Sequence, residues 1–188
     1  MNQKKAAAGL AAFSAGIFAA GLWYGNRTVG AASLEVRSPR LPEEFSGFTV
    51  AHVSDLHNAE FGKEYARLLR QLRRSRPDVI AVTGDLIDSR RTNIRAALKF
   101  AAKAREIAPV LYVPGNHESR IAGYERLKKG LERLGIPVLH NKQLIWKKGG
   151  ASIRFAGMAD PDFLVNQGDC RAREDIAAEQ LCAFPKDP

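Results

Sequence analysis

Cysteine is scarce in this chain. Its 188 residues hold two, Cys170 and Cys182, both near the C-terminus. Their spacing builds neither a zinc knuckle nor a redox dithiol. Nothing in the sequence requires a disulfide between them, and free thiols are the expected state. Histidine is also sparse, at four residues: His52, His57, His117 and His140. No aromatic residue interleaves with the arginine-rich stretch RLLRQLRRSR (67–76). That removes the stacking platforms on which single-strand nucleic-acid binders rely. The arginines fall mostly opposite the leucines of the same stretch, as a solvated helix face would have them, and no nucleic-acid partner is expected. There is no internal repeat, and no low-complexity tract beyond an Ala/Gly-rich N-terminus.

What is present suits one globular domain with a short appendage. The formal net charge is +9. A basic balance favours anionic partners such as nucleic acid, lipid head groups or phosphorylated substrates, and it equally describes a solvated basic surface. The N-terminus reads MNQKK, then AAAGLAAFSAGIFAAGLWYG (6–25), with no charge until Arg27. A run of about 20 apolar residues can cross a bilayer as a helix. Lys4 and Lys5 ahead of it favour a cytoplasmic N-terminus, and Trp23 and Tyr24 sit where interfacial aromatics would. A cleaved signal peptide is the rival, since VGAA (29–32) offers small residues near a cut; a soluble core helix is a third option. The expected division is 1–32 as anchor or signal segment and tether, and 33–188 as the folded domain. That places the chain in the cell membrane with its domain outside the cytoplasm, or secreted if the segment is cleaved.

Further along, apolar β-rich runs alternate with amphipathic ones. SLEVRS (33–38) alternates as an edge strand would. FTVAHVS (48–54), DVIAVTG (78–84), VLYVPG (110–115) and IPVLH (136–140) read as buried strands. Helices are expected over 63–76, 93–107 and 123–135, with Asn93 as an N-cap and Gly135 just past a helix end. Residues 143–158 read as a hairpin turning at KKGG, and 169–184 as a last helix. Strand and helix in alternation predict an α/β fold with parallel strands, followed by an antiparallel pair. Ligands of such sheets bind beyond the carboxyl ends of the strands.

Polar residues gather at those ends. The first strand leads into Asp55 and His57, the second into GDLID with Asp85 and Asp88, the third into GNHE with Asn116, His117 and Glu118. Asp55 and His57, two apart, would share one side of an extended strand. Asp85 has two oxygens and can bridge two cations, and Asn116 is a neutral oxygen ligand. Gly84 and Gly115 leave room for the backbone to turn. Mixed nitrogen and oxygen ligands suit Mn, Fe or Zn, and two such ions serve phosphoryl chemistry. His117 would face a substrate as proton donor. Glu118 could fix its tautomer, and Asp88 could hold a ligand imidazole from behind. Arg90 and Arg91 follow directly, where substrate phosphate, anionic head groups or solvent could each account for them.

SDLH, TGDLID and PGNHE, in that order, resemble the first three motifs of calcineurin-like metallophosphoesterases. The text around them is similar to the membrane-anchored bacterial branch, and FAGMADPDF (155–163) resembles a family strand and loop. The resemblance covers roughly 33–165. It implies a two-sheet sandwich flanked by helices, a dinuclear metal centre and hydrolysis of phosphomonoester, phosphodiester or pyrophosphate bonds. A lipid-linked phosphate suits a membrane-anchored member. The family completes its site with three further histidines, two of them in a late Gly-His-x-His. This chain has no such motif. His52, inside an apolar strand, is expected to pack in the core, and His140 to serve a turn or the surface. The simplest expectation is C-terminal truncation. One metal then keeps Asp55, His57 and Asp85, and the other only Asp85 and Asn116. The alternative to an enzyme is a catalytically impaired, membrane-tethered binding or scaffold protein of the same fold.

Overall fold

The computed structural model describes residues 28–185. The apolar run 6–25 lies outside them. Among the described residues no helix is long and apolar enough to cross a membrane.

Three short strands, β1 (Val50–Val53), β2 (Val79–Thr83) and β3 (Val110–Val113), pair in parallel in that order. Val50 lies beside Val79, and Ile80 beside Val110. Parallel pairing requires crossovers, and helices supply them. α1 (Ala66–Ser75) leads from β1 to β2 and α2 (Ile94–Arg105) from β2 to β3. After β3 come a one-turn helix, α3 (Asn116–Ser119), and then α4 (Tyr124–Arg133). An antiparallel hairpin follows, β4 (Lys142–Lys148) with β5 (Ala151–Gly157). Its two-residue turn is Gly149–Gly150, both at positive φ (57° and 90°), as a type I′ turn demands. A short α5 (Asp162–Val165) and then α6 (Arg173–Cys182) follow. Cys170 and Cys182 are free thiols, and both are exposed.

Alternation along the strands sorts the core into two layers. Ile80, Val82, Val110 and Tyr112 face the helices, where they meet Leu68, Leu69 and Leu72 of α1, Phe100 of α2 and Leu127 and Leu131 of α4. Each of the three α1 leucines is buried, which contributes about 2 kcal/mol apiece. Val79 and Leu111 point the other way and pack with Leu139 under Phe48, Leu144, Trp146 and Phe155. The hairpin therefore lies across one face of the parallel sheet and the helices across the other. This is the expected α/β class, with two sheets and flanking helices.

Local signals explain the helix ends. The Asn93 side chain accepts from the Ala96 N–H (3.0 Å), capping α2. Gly135 (φ 69°) follows α4, with Gly135 N–H donating to Glu132 O and Ile136 N–H to Leu131 O. That pair is a Schellman motif.

Three expectations fail here. SLEVRS pairs with nothing, and Leu34 and Val36 stand in solvent. Alternation alone does not make a strand when no neighbour offers a ladder. IPVLH shrinks to a single parallel bridge between Tyr112 and Val138, because Pro137 has no N–H to continue the ladder. His52 is exposed, not packed in the core, and its Nε2 meets the Thr83 hydroxyl. β1 lies at the sheet margin, and the hairpin does not cover that face.

Candidate metal centre

All three parallel strands deliver their loops to one edge of the sheet. The first loop is stitched to the second through the main chain. Asp55 N–H donates to Gly84 O (3.3 Å), His57 N–H to Asp85 O (2.9 Å) and Asn58 N–H to Leu86 O (3.1 Å). To make these bonds, Asp55 (φ 55°) and His57 (φ 45°) turn into the left-handed region. They do not lie on an extended strand as their spacing suggested. Asp85 is left-handed too, at φ 51°. Non-glycine residues held this way cost about 1 kcal/mol or more each, and the surrounding structure must sustain them.

The result is a tight group. His57 Nε2 stands 3.8 Å from Asp55 Oδ1 and 3.9 Å from Asp85 Oδ2. Two donors on opposite sides of one cation, each at about 2.0–2.2 Å, are about 4 Å apart. His57 is therefore spaced to share a divalent cation with either carboxylate. His117 lies beside them. One donor atom each from His57, Asp85 and His117 falls within 4.8 Å of the others, and the two imidazoles meet edge to face at 4.5 Å. Asp55 is the open side of the group, with its side chain 66% exposed against 14% for Asp85.

His117 differs from His57 in its hydrogen bonding. Its Nδ1 accepts the Ser89 main-chain N–H at 3.0 Å, with the Ser89 hydroxyl at 3.2 Å. A ring nitrogen that accepts a main-chain proton is unprotonated, so the neutral ring carries its proton on Nε2. This polarity suits a proton donor better than a metal ligand. The His117 N–H in turn donates to Asp85 Oδ1 (3.0 Å), leaving Oδ2 toward His57.

Glu118 does not set that tautomer, contrary to expectation. It is fully buried. Its Oε2 accepts from the N–H groups of Asp85 (2.9 Å) and Gly115 (2.8 Å), and Oε1 accepts from Ile87 (3.2 Å). One carboxylate thus joins the second and third loops behind the site. Ser89 does the work that had been expected of Glu118. Asp88 faces His117 at 3.9 Å without a hydrogen bond to it. Its carboxyl is held below the ordinary range chiefly by the Arg90 N–H (2.7 Å), with smaller help from the Arg91 N–H and the neighbouring imidazoles. Arg90 and Arg91 are exposed on that loop. Asn116 opens α3, half-buried next to His117.

Gly84 and Gly115 lie back to back. A Cβ on Gly115 would stand 2.4 Å from Asp85 Oδ1 and 2.7 Å from Asp85 N, and one on Gly84 would stand 2.9 Å from the Gly115 Cα. Only hydrogen fits at either position. From outside, the buried Asp162 accepts from Arg120 (2.7 Å) and Arg173 (2.6 Å), and Asn166 donates to the Ser119 hydroxyl (2.9 Å). These bonds brace the end of α3.

The other two histidines stay apart from the group. His52 bonds Thr83. His140 is half-buried between Tyr124 and Phe163, with its Nδ1 2.8 Å from the Tyr124 hydroxyl. Expected at a turn or on the surface, it lies at a bend and is half-buried in an aromatic cluster.

Residues 48–171, more than half of the chain, match the family described as calcineurin-like phosphoesterase. The chain belongs to that family. Its likeness to two vertebrate proteins named transmembrane protein with metallophosphoesterase domain is modest. It is 28% identical to the Danio rerio protein over 110 residues, which cover 57% of this chain and 25% of that one. It is 27% identical to the Bos taurus protein over 124 residues, 63% and 27% of the two chains. A Bacillus subtilis protein named uncharacterized metallophosphoesterase YkuE is 26% identical over 130 residues, 66% of this chain and 46% of that one. The chain thus spans less than half the length of these relatives. Among solved structures, a phosphopantetheinyl hydrolase (PptH) from Mycobacterium tuberculosis aligns with a TM-score of 0.45 and 21% identity, over 72% of this chain and 51% of that one.

Within this calcineurin-like domain, two positioning residues escape a reading of the sequence. Ser89 is one. Asn58 is the other: its Oδ1 accepts from the N–H groups of Asp88 (3.1 Å) and Asn93 (3.3 Å), while its Nδ2 donates to Asn93 O (3.0 Å). It ties the first loop to the second and to the start of α2. A serine and an asparagine in loops carry no pattern of their own. Only their place directly after DLID and DLH marks them.

Proposed function

We propose that this chain is a metal-dependent phosphoesterase that hydrolyses phosphoric ester bonds. The observation that carries this reading is the convergence of His57, Asp85 and His117, from three successive strand ends, with one donor atom each within 4.8 Å of the others and Asp55 3.8 Å from His57. Asp55, His57 and Asp85 would hold the first ion, Mn, Fe or Zn by the chemistry of the donors. Asp85 and Asn116 would contribute to a second ion, for which this chain supplies few ligands. Bound metal supplies charge neutralisation on the phosphoryl group and a lowered pKa for water.

The chain's own residues do the rest. His117, with its proton on Nε2, donates to the leaving oxygen. The Ser89 N–H keeps that ring in register, and Glu118 holds the two loops at a fixed separation. Arg90 and Arg91 offer charge to a substrate phosphate arriving from solvent. The substrate is a phosphate ester or pyrophosphate, with a lipid-linked one preferred because residues 6–25 read as a membrane anchor and two relatives are named transmembrane proteins.

A second reading has its own observation. Of four histidines, only His57 and His117 reach the centre, and a sparse ligand set favours a membrane-tethered binding protein without turnover. Purified chain separates the two. The enzyme should hydrolyse bis-p-nitrophenyl or p-nitrophenyl phosphate with added Mn²⁺, and Asp85→Ala should abolish both hydrolysis and Mn²⁺ binding measured by calorimetry. Tight Mn²⁺ binding with no turnover of either ester would sink the enzyme reading and leave the binding protein.

A further inference from the structure

The outer face of α1 carries Arg70, Arg73 and Arg74 in one exposed stripe, and Arg76 follows just past the helix end. Together they line a shallow cavity of about 610 Å³. None of the four forms an ion pair among the described residues, and α1 itself contains no acid. Of the carboxylates flanking the helix, Glu64 is already engaged by Lys99 and Lys103, and Asp78 accepts the Thr49 N–H (2.7 Å). The sequence leaves these arginines to solvent.

A separate observation gives them a neighbour. Gln71, on the same helix, donates from Nε2 to the main-chain oxygen of Val29 (3.3 Å). Val29 also packs against the helix-side core. The apolar run ends at Gly25, so Val29 is only four residues beyond it. Four residues span at most about 14 Å of extended chain. The described chain therefore meets the helix that bears the arginines within four residues of the apolar run.

From this we propose that the arginine face of α1 docks on an anionic lipid surface. Guanidinium groups bind phosphate oxygens in pairs, so lipid phosphates are their natural partners. With α1 flat on that surface, the strands it crosses between also run along the surface. The metal edge of the sheet then opens sideways over the head groups, and the hairpin points away. The proposal rests on reading 6–25 as a membrane segment. It is independent of whether the centre turns over.

Vesicle co-sedimentation of the full chain tests it. Phosphatidylcholine vesicles, with and without phosphatidylglycerol, separate insertion of the apolar run from charge docking. Each basic residue near an anionic surface is worth about fivefold in binding, so three give a preference on the order of a hundredfold at low salt. The triple change Arg70→Gln, Arg73→Gln and Arg74→Gln should remove most of that preference. Raised salt should remove it too, while binding to neutral vesicles stays unchanged. The lysine triple at the same positions should retain it, which guards against a folding artefact. A triple of equal charge on α4 (Arg126→Gln, Lys129→Gln and Arg133→Gln) should leave the preference in place. Four outcomes overturn the proposal: no binding to either vesicle; a preference that survives the α1 triple; an equal loss with the α4 triple; or duplex DNA bound as tightly as the anionic vesicles through the same arginines.

Discussion

Glu118→Gln is the most informative single change at the centre. The carboxylate accepts three buried main-chain protons, two at Oε2 and one at Oε1. Glutamine has one oxygen. Turned toward Asp85 and Gly115, that oxygen keeps two bonds, but these become neutral and weaken by about 1 kcal/mol each. The amide nitrogen then faces the Ile87 N–H, donor against donor. Leaving that buried proton unpaired adds about 1–3 kcal/mol. The total is about 4 kcal/mol, a large part of the 5–15 kcal/mol typical of a domain. In urea, with a slope of about 2 kcal/mol per molar, the unfolding midpoint should fall by about 2 M. Tryptophan fluorescence follows the transition, and Trp146 of the hairpin reports the sheet. Mn²⁺ affinity should fall about 10–100-fold as well, since groups that orient ligands typically matter by that factor. A midpoint and an affinity both equal to those of the unchanged protein would refute the role given to Glu118.

Two other outcomes follow from the same geometry. Gly115→Ala puts a methyl 2.4 Å from Asp85 Oδ1; Mn²⁺ affinity by calorimetry should drop at least about tenfold and stability by about 1–3 kcal/mol, and an unchanged affinity would contradict the placement of Asp85. His140 has its pKa lowered by burial first and by Lys128 second, with Glu125 opposing and Lys142 adding the smallest lowering effect. The folded state thus binds fewer protons than the unfolded chain, so stability rises with pH. The contribution is fully present above the ordinary histidine value of about 6.5 and is lost as pH falls from there through the lowered folded value. Denaturation midpoints between about pH 7 and 5 should therefore slope downward, and His140→Gln should flatten the slope.

The repeating elements were legible because their signals are local. The leucines of α1 recur at helical spacing, Asn93 caps α2 through its own side chain, and Gly149–Gly150 dictates a two-residue turn. IPVLH was misread because one missing N–H at Pro137 outweighs the β-favouring Ile136 and Val138. SLEVRS was misread because pairing depends on a partner that no property of the segment reveals. The centre divides in the same way. Asp55, His57, Asp85 and His117 stand out by residue type at strand ends. How they are held does not, since it depends on contacts across 28 or more residues, as between Ser89 and His117. The two-residue spacing of Asp55 and His57 suggested an extended strand. Main-chain bonds to Gly84 and Asp85 impose left-handed turns instead.

The tautomer of His117 depends on a main-chain N–H at Ser89, and two of the three protons that Glu118 accepts come from the same loop, at Asp85 and Ile87. Every residue but proline supplies such a proton. The identities of the side chains at 87 and 89 are thus of secondary weight to the centre, while the count of residues between 85 and 89 is decisive. A single insertion or deletion there would displace the Ile87 and Ser89 N–H groups from their acceptors, even with every ligand still in place. For the main-chain bonds made at 87 and 89 the inherited quantity is a length, while Asp85 matters to the centre by its side chain.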